Sequence, residues 1–161
     1  MKHSILKLTG KLFVLAVLFT ISLSCSKDNG KDNSGDGTMS LKVDGTAWEA
    51  SLAVQGVYAQ GLFTVSGSDS DAKQANITVL NPEEGKTYNT GGLANYSIMG
   101  RWTAGLNQED TYSTGVMTTT SGEITFTKFT DSHAEGTFSF KARNTSQEEV
   151  NITEGTFSVN F

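Results

Sequence analysis

The sequence predicts an all-β fold, a single antiparallel β-sandwich or flattened β-barrel, placed after a removable leader and a flexible tether. Three observations carry that expectation. From Met39 onward apolar residues recur with a period of two, not the period of about 3.6 that marks a helix. Turn signals of the Asp-Gly and Gln-Gly kind interrupt the apolar runs at short intervals. No stretch beyond the tether carries an apolar stripe at helical spacing.

Residues 1–24 read as a lipoprotein signal peptide. Lys2, Lys7 and Lys11 make a positive start, Leu12 to Leu23 is almost wholly apolar, and Ser24 precedes Cys25. A charged start, an apolar run of about 7–15 residues and a small residue before the cut describe a secretory signal. A membrane span needs about 20 residues, more than this run supplies. Cys25 is the only cysteine, so it has no internal disulfide partner. Its position at the end of the apolar run resembles the lipobox cut by the lipoprotein signal peptidase, with Ser22 where Leu is commonest. Lipidation of Cys25 (palmitate among the acyl chains) is therefore expected. Two or more chains anchor stably, at about 0.8 kcal/mol per buried methylene.

Residues 25–38 are the expected linker. Ser26 to Thr38 contains Gly, Ser, Asn, Asp and Lys with nothing apolar to bury, and as a flexible coil it spans roughly 20 Å. Asp32, Ser34, Asp36 and Gly37 imitate the opening of a calcium loop. The place of its bidentate Glu, however, holds Val43.

Residues 39–161 form the expected β domain. Met39–Val43 and Thr46–Ala50 flank Asp44-Gly45, a hairpin signal. Leu52–Ala59 and Leu62–Ser66 flank Gln60-Gly61, and Gln74–Leu80 runs into a turn at Asn81–Gly85 that holds the one proline. Further strands are expected at Lys86–Asn89, Tyr96–Thr103, Thr111–Thr118, Gly122–Phe129, Gly136–Arg143 and Val150–Phe161. Phase matters in the last third. Ile124 and Phe126 share a face that Phe129 leaves, and Val150 and Ile152 are out of step with Phe157, Val159 and Phe161. One extra residue reverses which side faces the core, so bulges are expected near Lys128 and at Glu154-Gly155. Phe138, Phe140 and Ala142 make an unbroken inward face.

Several short pieces of the chain resemble a known group. They are Val43-Asp44-Gly45 followed by Trp48, then Gly85-Lys86-Thr87-Tyr88, then Gly136 to Phe140 and Ile152 to Val159. With the lipobox-like start they resemble a family of uncharacterised Bacteroidetes-type lipoproteins carried as a domain of unknown function. The resemblance implies a β domain in the cell envelope, anchored to the outer membrane, and brings no catalytic residues with it. In that group an acidic patch after the cysteine can mark export to the cell surface. Ser26-Lys27-Asp28 meets that pattern with one acid, which leaves both the cell surface and a periplasm-facing position open.

Composition limits the chemistry. Without the three leader lysines, 9 of the 12 basic residues face 17 acidic ones, a net charge of −8. That balance repels phosphate backbones, so nucleic acid is excluded as an expected partner. His133, beside Asp131 and Ser132, is the mature chain's one histidine and reads as an exposed turn; triads are assembled from distant positions. Zinc would need mostly carboxylates, and no cofactor is expected. The pairs Glu83-Glu84, Glu109-Asp110 and Glu148-Glu149 read as solvated turn charges, since a glycosidase needs two carboxylates across one gap. Asn76, Asn95, Asn144 and Asn151 begin Asn-X-Ser/Thr triplets to which no role is given. Terminal alternation at Phe157, Val159 and Phe161 suits an outer-membrane barrel, but most apolar runs are too short for one.

Aromatic residues offer a sugar-stacking surface. Trp48 reads as a core anchor, and Tyr96, Ile98 and Trp102 as one strand face turned to the core. Tyr88 and Tyr112 lie nearer loops and are expected to be exposed, and Arg101 projects opposite Trp102. Tyr88, Tyr112, Trp102 and Arg101 are thus the expected ligand-binding residues. The functional expectation is a non-enzymatic binding or interaction module for a glycan or an envelope protein. A structural envelope protein without a small ligand is the alternative, and a carboxylate-based hydrolase the third reading.

Overall fold

The computed structural model describes residues 37–92 and 95–161. The expected signal peptide, Cys25 and the expected tether through Asp36 lie outside the described residues. The described residues fall within one unit, Lys31–Phe161.

Eleven strands form among the described residues: β1 (Gly37–Val43), β2 (Thr46–Glu49), β3 (Ala53–Ala59), β4 (Leu62–Ser68), β5 (Gln74–Leu80), β6 (Thr87–Gly91), β7 (Ile98–Thr103), β8 (Thr111–Ser113), β9 (Thr120–Phe129), β10 (His133–Arg143) and β11 (Glu149–Asn160). Two single-turn 3-10 segments, Gln108–Asp110 and Thr114–Val116, flank β8. Every pairing is antiparallel. The strand order is β2-β1-β11-β10-β8-β7-β5-β4-β3, with β9 also pairing β10 and β6 pairing β9.

One link in this path is thin. β10 meets β8 through the single register pair Arg143 and Ser113, and there the sheet folds into two layers. One holds β2, β1, β11, β10, β9 and β6, the other β8, β7, β5, β4 and β3. The layers meet face to face without closing into a barrel. A Cβ added at Gly56 of β3 would meet the Val159 side chain of β11 at 2.9 Å, and one at Gly100 of β7 would strike the Phe140 ring of β10. The all-β, sandwich-like expectation holds.

The core has two chemically distinct ends. Phe63, with no exposed surface, meets Phe126, Phe129 and Phe161 edge-on with centroids 5.5, 5.6 and 5.4 Å away. This arrangement favours the ring quadrupoles over a face-to-face stack. The other end is built around Trp102 and Trp48.

Both expected bulges are present. Glu135 pairs with Lys128 but Gly136 with Phe126, leaving Thr127 as the extra residue of β9. β11 gains its extra residue between Ile152 and Thr156, where both neighbouring ladders shift register. Glu154 there adopts φ +52, and a side chain on Gly155 would meet the Phe138 ring at 2.5 Å. The two turns Asp44-Gly45 (φ +48 and +84) and Gln60-Gly61 (φ +53 and +82) have positive φ at both central residues, as two-residue hairpins require.

Four expectations need correction. Gly37 and Thr38, assigned to the tether, already pair with Val159 and Ser158. Tyr96 lies before β7 and is 67% exposed; the inward face is Ile98, Gly100 and Trp102. The strand expected over Thr111–Thr118 stops at Ser113, whose side chain accepts the Gly115 N–H and turns the chain into a 3-10 segment. His133 begins β10 rather than lying in a turn. Its ring is hydrogen-bonded through Nδ1 to Asn160 Oδ1 (2.7 Å) and through Nε2 to Glu135 Oε1 (2.8 Å).

Candidate functional site

Alternation of the strands puts four connections at the tryptophan end: Asp44-Gly45, Asp69–Lys73, Ala104–Asn107 and Asn144–Gln147. Hydrogen bonds anchor two of them to neighbouring segments. Asp44 N–H donates to Asn151 O while Asp44 Oδ1 accepts the Asn151 N–H, both at 2.9 Å. Buried Asn144 donates to Glu109 O at 2.8 Å and to Glu148 Oε2 at 2.9 Å, and accepts the Glu148 N–H at 2.9 Å. Its place in an Asn-X-Ser/Thr triplet is thus that of a loop staple.

A cleft of about 350 Å³ opens among the first three of these connections. Its apolar walls are Trp48, Trp102, Val43, Ala47 and Ala104; Asp44, Thr46 and Lys73 supply the polar groups. Trp48 and Trp102 meet edge-to-face, 5.1 Å between centroids and 82° between planes. Trp102 is 3% exposed and forms the floor, whereas half-buried Trp48 is the accessible indole.

Asp69 fixes that indole. Its Oδ2 accepts the Trp48 Nε1–H at 2.6 Å, and its Oδ1 accepts the N–H groups of Asp71 and Lys73 at 2.9 Å each. Burial opposes its ionisation. The bonds from the Lys73 backbone, the Trp48 indole and the Asp71 backbone, with the nearby Lys73 charge, outweigh it and hold the carboxyl below its ordinary value. Lys73 Nζ also approaches Asp71 Oδ2 at 3.5 Å.

Tyr112 pairs with Trp102 across β8 and β7. Burial first, then the charges of Glu148 and Asp110, hold its phenol above the ordinary value. At the outer edge, Arg143 bonds Glu149 and thereby lowers that carboxyl's pKa. Among the described residues no three His, Cys, Asp or Glu side chains converge to hold a metal ion.

The four expected ligand-binding residues do not form one surface. Trp102 lines the cleft but shows almost no surface. Tyr112 is half-buried against the core, not exposed, because alternation turns it inward beside Trp102. Arg101 is exposed on the opposite face, as expected, paired in register with Asn76 and Ser113. Tyr88 belongs to the phenylalanine end. Its ring edges onto Phe126, and its hydroxyl donates to Asn81 O at 3.0 Å and accepts the Glu83 N–H at 2.8 Å. The expectation of an exposed Tyr88 fails because the same hydroxyl that suits a ligand closes the adjoining turn. Asp44, Asp69 and Lys73 carried no site expectation. Asp69-Ser-Asp71-Ala-Lys73 after a strand is an Asx-turn pattern that marks an ordered loop.

The outer face of the first layer is different. Thr87, Thr125, Thr137, Thr156 and Ser40 stand in register across five strands. Thr87 hydrogen-bonds Thr125 at 2.8 Å, and Ser40 bonds Thr156 at 3.0 Å. These hydroxyl pairs stabilise the sheet by cross-strand contact.

The fold and cleft define a sandwich-like antiparallel β domain with its concave site between hairpin loops. Residues 36–159 match the family described as Domain of unknown function (DUF6252), and the chain belongs to that family. No curated protein and no solved structure matches the chain.

Proposed function

We propose that this protein is a non-catalytic glycan-binding domain, held at the outer membrane of the cell envelope by acyl chains on Cys25. The cleft between Trp48 and Trp102 carries the reading. It joins an accessible indole, an apolar floor and a few polar groups, the composition expected of a small-molecule site. The lipobox-like start at Ser22–Cys25 supports the anchor, and the tether gives the domain reach from the membrane.

A glycan-array screen of the Lys31–Phe161 unit, with and without calcium, tests the binding role. Reproducible capture of one glycan class, lost in Trp48→Ala, is the expected outcome. A blank screen on folded protein favours a structural envelope role. Cys25→Ala abolishes lipid labelling and leaves uncut precursor; normal maturation of that variant refutes the anchor.

A further inference from the structure

We infer that the Trp48–Trp102 cleft takes the neutral end of a glycan, one or two pyranose rings, and discriminates against acidic sugars. This rests on the glycan-binding reading above. Size comes first: about 350 Å³ lies near the lower end of small-molecule sites, which run from about 300 to 1,000 Å³. The lining has matching chemistry. A pyranose has a C–H face for an indole and a hydroxyl rim that both donates and accepts. The cleft offers Asp44 as an acceptor, Lys73 as a donor, and Thr46 as both.

Charge then sets the selectivity. The one cation among the described residues that line the cleft, Lys73, already faces Asp71 at 3.5 Å. Asp44 lines the same cleft, and the Asp69 carboxylate accepts the Trp48 indole N–H. A ligand carboxylate entering there meets net negative charge at short range, on a domain that is acidic as a whole. A neutral hydroxyl meets no such repulsion. The Asp69 carboxylate, by accepting the indole N–H and two backbone N–H groups, holds Trp48 in place before the ligand arrives. That preorganisation lowers the entropy lost on binding.

The test is calorimetric titration, with indole fluorescence, of the full chain in mild detergent. The probes are cellobiose, maltose and lactose, with glucuronic acid as the anionic comparison. At least one neutral disaccharide should bind about tenfold more tightly than glucuronic acid at low salt. Trp48→Phe should weaken that binding by about tenfold, and Lys73→Gln should weaken it measurably with the fold intact. Val57→Thr, on the exposed face of β3, should leave it unchanged. A preference for glucuronic acid that is still lost in Trp48→Phe overturns the neutral-sugar inference and leaves the binding domain standing. No response to any probe, or binding indifferent to both Trp48→Phe and Lys73→Gln, overturns the glycan site itself.

Discussion

Replacing Phe63 with alanine tests the packing of the domain most directly. The side chain has no exposed surface and touches rings from three other positions edge-on, Phe126, Phe129 and Phe161. A buried Phe→Ala change costs about 3–5 kcal/mol through lost transfer energy and the cavity left behind. The upper part of that range is expected here. The surrounding rings belong to β9 and the chain end, and each is held by its own ladder or neighbours, so they cannot all move inward. A domain of about 125 residues has a total stability of roughly 6–19 kcal/mol, so the variant loses a large share of it. Urea unfolding followed by fluorescence reads this out. With a slope of about 2 kcal/mol/M the midpoint falls by roughly 2 M, with the slope itself unchanged. Val57→Ala, at a position 59% exposed, is the control and should shift stability by under about 0.5 kcal/mol. A Phe63→Ala loss below about 1 kcal/mol would refute the two-layer packing, because a side chain between the layers cannot be removed so cheaply.

Two further outcomes follow from the bulge and from the indole lock. Gly155→Ala places a Cβ 2.5 Å from Phe138 ring carbons and 2.6 Å from its carbonyl oxygen. It should destabilise by about 1–3 kcal/mol in the same urea assay; wild-type stability would show that the bulge accommodates a side chain. The Asp69 carboxyl is held below its ordinary value by the N–H groups it accepts and the nearby Lys73 charge. Its stabilising contribution is therefore present above the unfolded value and is lost as pH falls through the lower, folded one. Acid titration should loosen Trp48, seen as a change in indole emission, and Asp69→Asn should flatten that part of the stability–pH curve. An unchanged acid limb in Asp69→Asn would mean that other carboxylates carry it.

The strand regime was legible because a half-buried sheet writes its two faces into the chain at a period of two. Ile124 and Phe126 against Phe129, and Ile152 against Phe157, also located the bulges, since a phase break in a continuous strand has no other solution. Turn types at Asp44-Gly45 and Gln60-Gly61 were local matters of backbone conformation. His133 and the strand ends were harder, because pairing partners more than a dozen residues away decide where a ladder stops. Tyr88 and Tyr112 show the same gap at the site. Their positions near loops suggested exposure, while the neighbouring Phe126 and Trp102 gave them places to pack.

The sequence by itself therefore determined the all-β class, the inward face of Phe138, Phe140 and Ala142, the bulges and the hairpin turns, all of which depend on residues near one another in the chain. Which loops share an end, which indole stays accessible, and that Asp69 would lock Trp48 from 21 residues away were decided only by the tertiary structure. Alternation assigns a side chain to a face of the sheet. Its depth and its neighbours depend on the layer that packs across that face.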